Sequence, residues 1–189
     1  MNTKTFLASA AALALLVSPL VAQPVKNPSK KGSDAAQVFV NKAGVGGMFE
    51  VETSRLALDK ARREDVKDFA QKMVTDHGQA NEELKTVADQ IGTKVPEKMD
   101  PSHQAKFNKL KSATGPGFDT AYINAQTEAH REAVTLFDRY AKAGDNAELK
   151  AFASKTLPVL QGHEAHVKEL KTSSSGATGA SPGTSGKSK

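Results

Sequence analysis

The sequence contains no cysteine and no tryptophan, and only 5% of its 189 residues are aromatic. Without thiols the chain cannot form disulfides, thiolate zinc sites or iron–sulfur clusters, and it cannot use a cysteine nucleophile. Any bound metal would therefore need nitrogen and oxygen ligands from histidine, aspartate or glutamate. The formal net charge of +5 is a mild and diffuse excess, so we predict no nucleic-acid partner.

The signatures of several enzyme classes are also missing. The sequence has no glycine-rich phosphate loop between a strand and a helix, no serine nucleophile elbow and no His-Glu-x-x-His motif. These absences argue against a hydrolase or a nucleotide site. They leave enzymatic activity open and favour a non-enzymatic protein.

The two ends of the chain differ in composition from its middle. Residues 6–17 form an apolar run that spans about 18 Å as a helix, too short for the roughly 30 Å core of a bilayer, and Ala22 follows as a small residue. We predict a signal peptide over residues 1–22, cleaved after about Ala22, and export to a bacterial periplasm or secretion. The alternative is a short anchor that is never cut. After processing, we predict a flexible leader (23–34), one folded domain (35–171) without a transmembrane helix, and a disordered tail (172–189).

Within the folded part, apolar residues recur at intervals of three and four, and no window keeps a period of two. This pattern predicts an all-α domain in the form of an antiparallel four-helix bundle. Asp100 and Pro101 predict a short extra helix, through about Ser112, in the connection between helix 2 and helix 3. Pro158 lies inside the last helix, where we expect a kink. The long helices are expected over about 35–61, from about 64 to a glycine cap at Gly92, over 118–143, and after Asp145.

Four polar residues interrupt the apolar faces of these helices: Glu50, His77, His130 and His163. Counting from the predicted turns near Arg63 and Asp145 places all four roughly 20–27 Å from the same end of the bundle. Gly46 and Gly47 lie one turn before Glu50 and leave room for a ligand or water. One carboxylate and three imidazoles inside a bundle suit one divalent transition metal ion, such as Cu, Zn, Fe or Mn.

The same residues also allow a purely structural interpretation, in which they form a hydrogen-bonded layer that fixes helix register. His166 follows His163 by one turn and could add a second metal ligand from that helix or be a solvated flank residue. Asp76 lies next to His77 and could orient an imidazole, and Glu128 flanks His130 in the same manner, but we interpret both as surface charges. His103 is assigned no role.

Three segments resemble a known family of exported bacterial proteins, the family of domain of unknown function 4142. They are GGMFEVETSRLALDKARREDVKDFAQKMVTDH, FDTAYINAQTEAH and LKAFASKTLPVLQGH. The resemblance covers about residues 37–171 and implies a ferritin-like fold and a periplasmic or outer-membrane location, but no established activity. The family's characteristic acidic and histidine positions correspond here to Glu50, His77, His130 and His163.

The chain departs from ferritin-like di-iron proteins at three positions. Those proteins take a Glu-x-x-His motif from each of two helices. Here Val74, Thr127 and Leu160 stand three residues before the three histidines, so the bridging carboxylates are missing. At most a mononuclear, histidine-rich site is expected.

Three hypotheses for function follow from the sequence. The first is an exported helical bundle that acts in the cell envelope, for example under stress, with a metal-binding layer. The second is a mononuclear, metal-dependent redox or metal-handling protein. The third is a partner-binding module whose tail reaches the cell wall or another envelope protein.

Overall fold

The computed structural model describes residues 33–176. The predicted signal peptide, residues 23–32 of the predicted leader and the tail beyond residue 176 lie outside these residues. The described part consists of five α-helices and contains no strand, which confirms the predicted all-helical class. None of its helices is long and apolar enough to cross a membrane. The helices are α1 (Asp34–Lys60), α2 (Glu64–Gln90), α3 (Pro101–Ser112), α4 (Pro116–Ala143) and α5 (Ala147–Gly176).

Local chemistry sets the helix boundaries that the sequence predicted best. The Asp100 side chain accepts a hydrogen bond from the His103 backbone N–H at 2.8 Å and caps α3. Beyond the end of α2, Gly92 adopts a left-handed conformation with φ of +68°. The Thr93 N–H then donates to the Ala88 carbonyl at 2.9 Å, which is the hydrogen bond of a Schellman motif. The short helix and the glycine cap are therefore where the sequence predicts them.

Helix α5 is longer than expected. It continues to Gly176, five residues beyond the predicted domain boundary at Lys171. It also remains a single helix across Pro158. The first residues assigned to a disordered tail are thus helical in this structure.

Two helical hairpins pack together to form the domain. Contacts are most extensive between α4 and α5 and between α1 and α2, and less extensive where α1 meets α4 and α2 meets α5. Near the C-terminal end of α1, Ser54 shares a 2.8 Å hydrogen bond with Tyr122, and near its start Phe39 stacks on Tyr140. Helices α1 and α4 are therefore antiparallel. The short helix α3 packs against both of them.

This arrangement corrects the depth count made from the sequence. Asp119, at the start of α4, accepts hydrogen bonds from the backbone N–H groups of Arg62 and Arg63 in the turn between α1 and α2. At the opposite end, Ser33 contacts Asp145 in the turn between α4 and α5. The two turns lie at opposite ends of the domain, so counting both from one end was wrong. The four polar residues nevertheless lie at one depth in the domain, because each of them is near the middle of its helix.

The apolar core is divided into two clusters. One includes Phe39, Leu84, Phe137 and Phe152, and the other includes Phe69, Met73, Phe118 and Tyr122. The four polar residues lie between these clusters along the helices. Burying each large side chain contributes on the order of 2 kcal/mol, so the two clusters stabilise helix packing on both sides of the polar residues.

Candidate metal centre

Each of the four long helices contributes one residue to a buried polar layer, which we define as Glu50, His77, His130 and His163. Their exposed fractions are 4% or less. The three imidazole rings are mutual neighbours, with centroids 5.3–5.5 Å apart. The structure therefore brings together all four residues that the sequence singled out.

Each imidazole is tied through one ring nitrogen to an oxygen acceptor. His77 Nδ1 pairs with Glu50 Oε2 at 3.0 Å. His130 Nδ1 donates to the Gln126 backbone carbonyl at 2.9 Å, and His163 Nε2 donates to Asp76 Oδ2 at 2.8 Å. Carboxylate and carbonyl oxygens only accept hydrogen bonds, so these three nitrogens carry the hydrogens.

The other nitrogen of each ring faces the interior of the layer. His77 Nε2 and His163 Nδ1 are 3.3 Å apart, and His130 Nε2 is buried with no hydrogen-bond partner among the described residues. One nitrogen from each ring lies within 4.8 Å of the other two. Metal-binding histidines commonly hold one ring nitrogen on an oxygen acceptor in this way and leave the other nitrogen for the ion.

The surroundings lower the pKa of three residues of the layer, Glu50, His130 and His163. Burial lowers the pKa of His130, and burial with repulsion from His77 lowers the pKa of His163 to about 4. Burial by itself would raise the pKa of Glu50, but attraction by His77 and His130 outweighs it, and the pKa is lowered. At neutral pH the rings of His130 and His163 are therefore neutral, while the carboxylate is ionised.

Asp76 has a larger part in the site than the sequence indicated. It was interpreted as a surface charge, yet only 25% of its side chain is exposed, and it binds His163 across the contact between α2 and α5. Burial would raise the pKa of Asp76, but hydrogen bonds from Lys72 and His163 lower it below its ordinary value. Its position next to His77 in the sequence was the available signal. The partner on another helix could not be identified from that signal.

A second polar group lies one turn from the layer. Gln126 Nε2 donates to Thr53 Oγ1 at 2.8 Å, and the Thr53 hydroxyl donates to the Phe49 carbonyl at 2.6 Å. Two oxygens, Gln126 Oε1 and Glu50 Oε1, are buried without a hydrogen-bond partner in the described part of the chain. The interior beside the histidines therefore holds unused acceptors as well.

The remaining candidates lie outside the three-histidine group. The ring of His166 packs edge-on against Phe69, with centroids 5.1 Å apart. His103 pairs with Asp100 at 2.9 Å near the surface. Glu128 forms an exposed ion pair with Lys106, as expected for a surface charge.

Comparison with known proteins gives one family and a small set of similar folds. Residues 21–170 match the model of a family described as "Domain of unknown function (DUF4142)". No curated protein sequence matches the chain.

Three solved structures share the fold. A DUF305 fragment from Deinococcus radiodurans is 12% identical with a TM-score of 0.65, over 73% of this chain and 95% of that one. CopM in its Cu(II)-bound form is 19% identical with a TM-score of 0.62, over 72% of this chain and 95% of that one. The Cu(I)-bound form of CopM has the same identity and coverage with a TM-score of 0.61. At these identities the likeness shows the fold alone.

Proposed function

Because the chain belongs to the DUF4142 family, whose description assigns no activity, we propose a function from the polar layer: the protein binds one transition metal ion through His77, His130 and His163. Two observations carry this proposal: one nitrogen of each of the three buried imidazoles lies within 4.8 Å of the other two, and each ring is paired with an oxygen acceptor through one nitrogen only. Neutral imidazoles suit copper, zinc and iron. Copper is the first candidate, because CopM, a protein of similar fold, is known in Cu(II)-bound and Cu(I)-bound forms.

The residues present fit such an ion in three respects. The buried His130 Nε2 lacks a hydrogen-bond partner in residues 33–176, whereas about 90% or more of buried polar groups have one. The 3.3 Å between His77 Nε2 and His163 Nδ1 is close to the roughly 3.3–3.6 Å between two nitrogens that share one ion at about 2.0–2.1 Å. The ionised carboxylates of Glu50 and Asp76 would also be compensated by a divalent cation.

Glu50 receives a different role from the one expected from the sequence. Its Oε2 pairs with the outer nitrogen of His77, and its Oε1 lies 3.7 Å from the outer nitrogen of His130. The hydrogen of His130 Nδ1 is donated to the Gln126 carbonyl. We therefore propose that Glu50 orients His77 and is not itself a ligand. Asp76 orients His163 in the same way. Carboxylates that hold the outer nitrogen of a ligating histidine raise its basicity and fix its tautomer.

The chain's own residues suit metal retention. A bound copper ion would supply Lewis-acid or one-electron redox chemistry. The residues around the layer bury His130 and His163 and keep both rings neutral. We favour metal handling over catalysis. With a signal peptide at residues 1–22, this binding would take place in a bacterial periplasm or outside the cell.

We further propose that the four long helices form a ferritin-like antiparallel bundle. Helix α1 is antiparallel to α2, to which a short turn joins it, and also to α4. Helices α2 and α4 must then run in the same direction, so the connection through α3 returns along the length of the domain. A single long crossover of this kind is typical of ferritin-like folds.

Metal titrations with variants that keep the outer hydrogen bonds would test the metal proposal. Asparagine at His77 or His130 keeps a donor near the position of Nδ1, and glutamine at His163 keeps one near Nε2, while each removes the inner nitrogen. We expect one equivalent of Cu(II) to bind the chelator-treated, desalted protein in calorimetry. We expect this binding to be lost in His77→Asn, His130→Asn and His163→Gln.

His103→Gln, which changes a histidine outside the layer, is the matched control and should bind as the unaltered protein does. Circular dichroism should show the same helicity in every variant. Stoichiometric binding that survives all three layer substitutions combined would refute the site. Binding of Zn(II) without Cu(II) would keep the site and refute the choice of copper.

A further inference from the structure

A cleft of about 790 Å³ opens beside the polar layer. Residues of all five helices line it, His103 among them, together with Pro96, Lys98 and Asp100 of the connection before α3. Glu50 and His77 are the layer residues that line it. Small-molecule sites in proteins commonly have volumes of about 300–1,000 Å³, so the cleft is large enough for an organic ligand.

Two adjacent glycines of α1 shape the cleft in different ways. A Cβ added at Gly46 would meet no atom within 4 Å, so the missing side chain leaves the space open. A Cβ at Gly47 would overlap the side-chain oxygen of Asn81, so this glycine leaves room for the Asn81 side chain of α2. Both residues line the cleft, and Asn81 does as well.

The wall of the cleft is largely apolar. Leu84, Phe137, Phe152 and Leu160 line it from three helices, and all four are buried. A ligand whose body is apolar would pack against the atoms of these side chains that border the cleft. This lining favours an organic molecule over a hydrated inorganic ion.

The surface residues of the cleft carry an excess of positive charge. Lys42, Lys98, Arg131 and Arg139 line the cleft and are exposed, and none of them forms an ion pair with another described residue. The acidic surface residues of the lining are Glu132 and Asp100, and Asp100 pairs with His103. A concave surface with this balance attracts anions.

The positive charge is separated from the carboxylate of the layer. Lys42 precedes Glu50 by eight positions on α1, which is about 12 Å along a helix. Because α1 and α4 are antiparallel, Arg139 lies at the level of Lys42. Coulomb repulsion falls with distance, so Glu50 repels an anionic group bound there less than one bound beside the polar layer.

We propose that this cleft binds an organic anion with an apolar body, such as an alkyl or aryl carboxylate or sulfonate. The anionic group lies against Lys42 and Arg139, and the body lies along the apolar wall. This binding does not depend on a metal in the polar layer.

The test uses 8-anilinonaphthalene-1-sulfonate, an aromatic anion that fluoresces in apolar surroundings, with chelator present throughout. The protein should bind about one equivalent. Lys42→Gln combined with Arg139→Gln should weaken binding about tenfold, which corresponds to about 1.4 kcal/mol. The neutral analogue N-phenyl-1-naphthylamine should bind both proteins equally, because it lacks the sulfonate. Dodecanoate should displace the probe.

Gly46→Phe should block the cleft and abolish binding, whereas Gly46→Ala should retain it. Thermal melts should show that each variant unfolds cooperatively, so that binding is compared between folded proteins. If Gly46→Phe does not fold, the charge variant decides. No binding to the unaltered protein, or equal affinity of the unaltered protein and the charge variant for the sulfonate, would overturn the proposal. Either result would leave the metal proposal untouched because metal is excluded from the assay.

Discussion

Mild acid should destabilise the metal-free protein at a pH where carboxylates are still ionised. The pKa of His163 is about 4 in the folded protein, against an ordinary value of 6.5. Between these two values the unfolded chain binds a proton that the folded protein does not bind. The contribution of the neutral His163 ring to the free energy of unfolding is therefore fully present above about pH 6.5 and is lost as the pH falls toward 4.

The size of this loss follows from the two pKa values of His163. Between about pH 7.5 and pH 5, this one group should lower the free energy of unfolding by about 2 kcal/mol, at about 1.4 kcal/mol per pKa unit. His130, whose pKa is also lowered by burial, adds a loss of the same sign. Glu50 and Asp76 act at lower pH, because their lowered pKa values give stability that disappears only when these carboxylates are protonated.

Urea unfolding of the chelator-treated protein at the two pH values would measure this loss. With a slope of about 2 kcal/mol per M, the urea midpoint should fall by about 1 M. His163→Gln has no titrating ring but can still donate to Asp76, so its loss should be smaller by about 2 kcal/mol. His103→Gln should lose as much as the unaltered protein. Equal losses in His163→Gln and the unaltered protein would refute this account of His163.

Other substitutions test the site and the fold. Glu50→Gln removes the charge that orients His77 and should weaken Cu(II) binding by about 10- to 100-fold in calorimetry; unchanged affinity would argue against the orienting role. Gly92→Ala places a side chain at φ of +68° and should lower stability by about 1 kcal/mol, whereas Gly46→Ala should raise it by up to about 1 kcal/mol; a raised urea midpoint for Gly92→Ala or a lowered one for Gly46→Ala would contradict the respective prediction. Phe39→Ala should lower the free energy of unfolding by about 3–5 kcal/mol, while Val38→Ala, at a side chain 52% exposed, should change it by less than about 0.5 kcal/mol. Similar effects of these last two would place Phe39 outside the core.

The helices could be predicted because their determinants are local. The apolar period, the Asp100 cap and the left-handed Gly92 act within a few residues of the chain. Helix direction was not predictable in this way. The period of an isolated helix carries no information on which other helix it meets, so the turns near Arg63 and Asp145 were wrongly placed at one end.

In the candidate site, too, the residues could be predicted from local patterns, whereas their contacts between helices could not. Glu50 and the three histidines could be found because polar residues on apolar helix faces must meet one another in a buried layer. Asp76 was interpreted as a surface charge because its partner His163 is 87 positions away and because a partly exposed side chain does not interrupt an apolar face. Which nitrogen of each ring points inward depends on these partners, so the sequence alone could not show it.

The polar layer is shared equally between the two halves of the folded chain. The hairpin of α1 and α2 supplies Glu50 and His77, and the hairpin of α4 and α5 supplies His130 and His163. Neither hairpin alone holds three imidazoles, so the site exists only where the hairpins have docked, and that contact is less extensive than the contacts within each hairpin. An ion at a thousandfold excess over its dissociation constant would add about 4 kcal/mol to the docked state. Metal supply would then control whether the two halves stay together when other conditions weaken their contact.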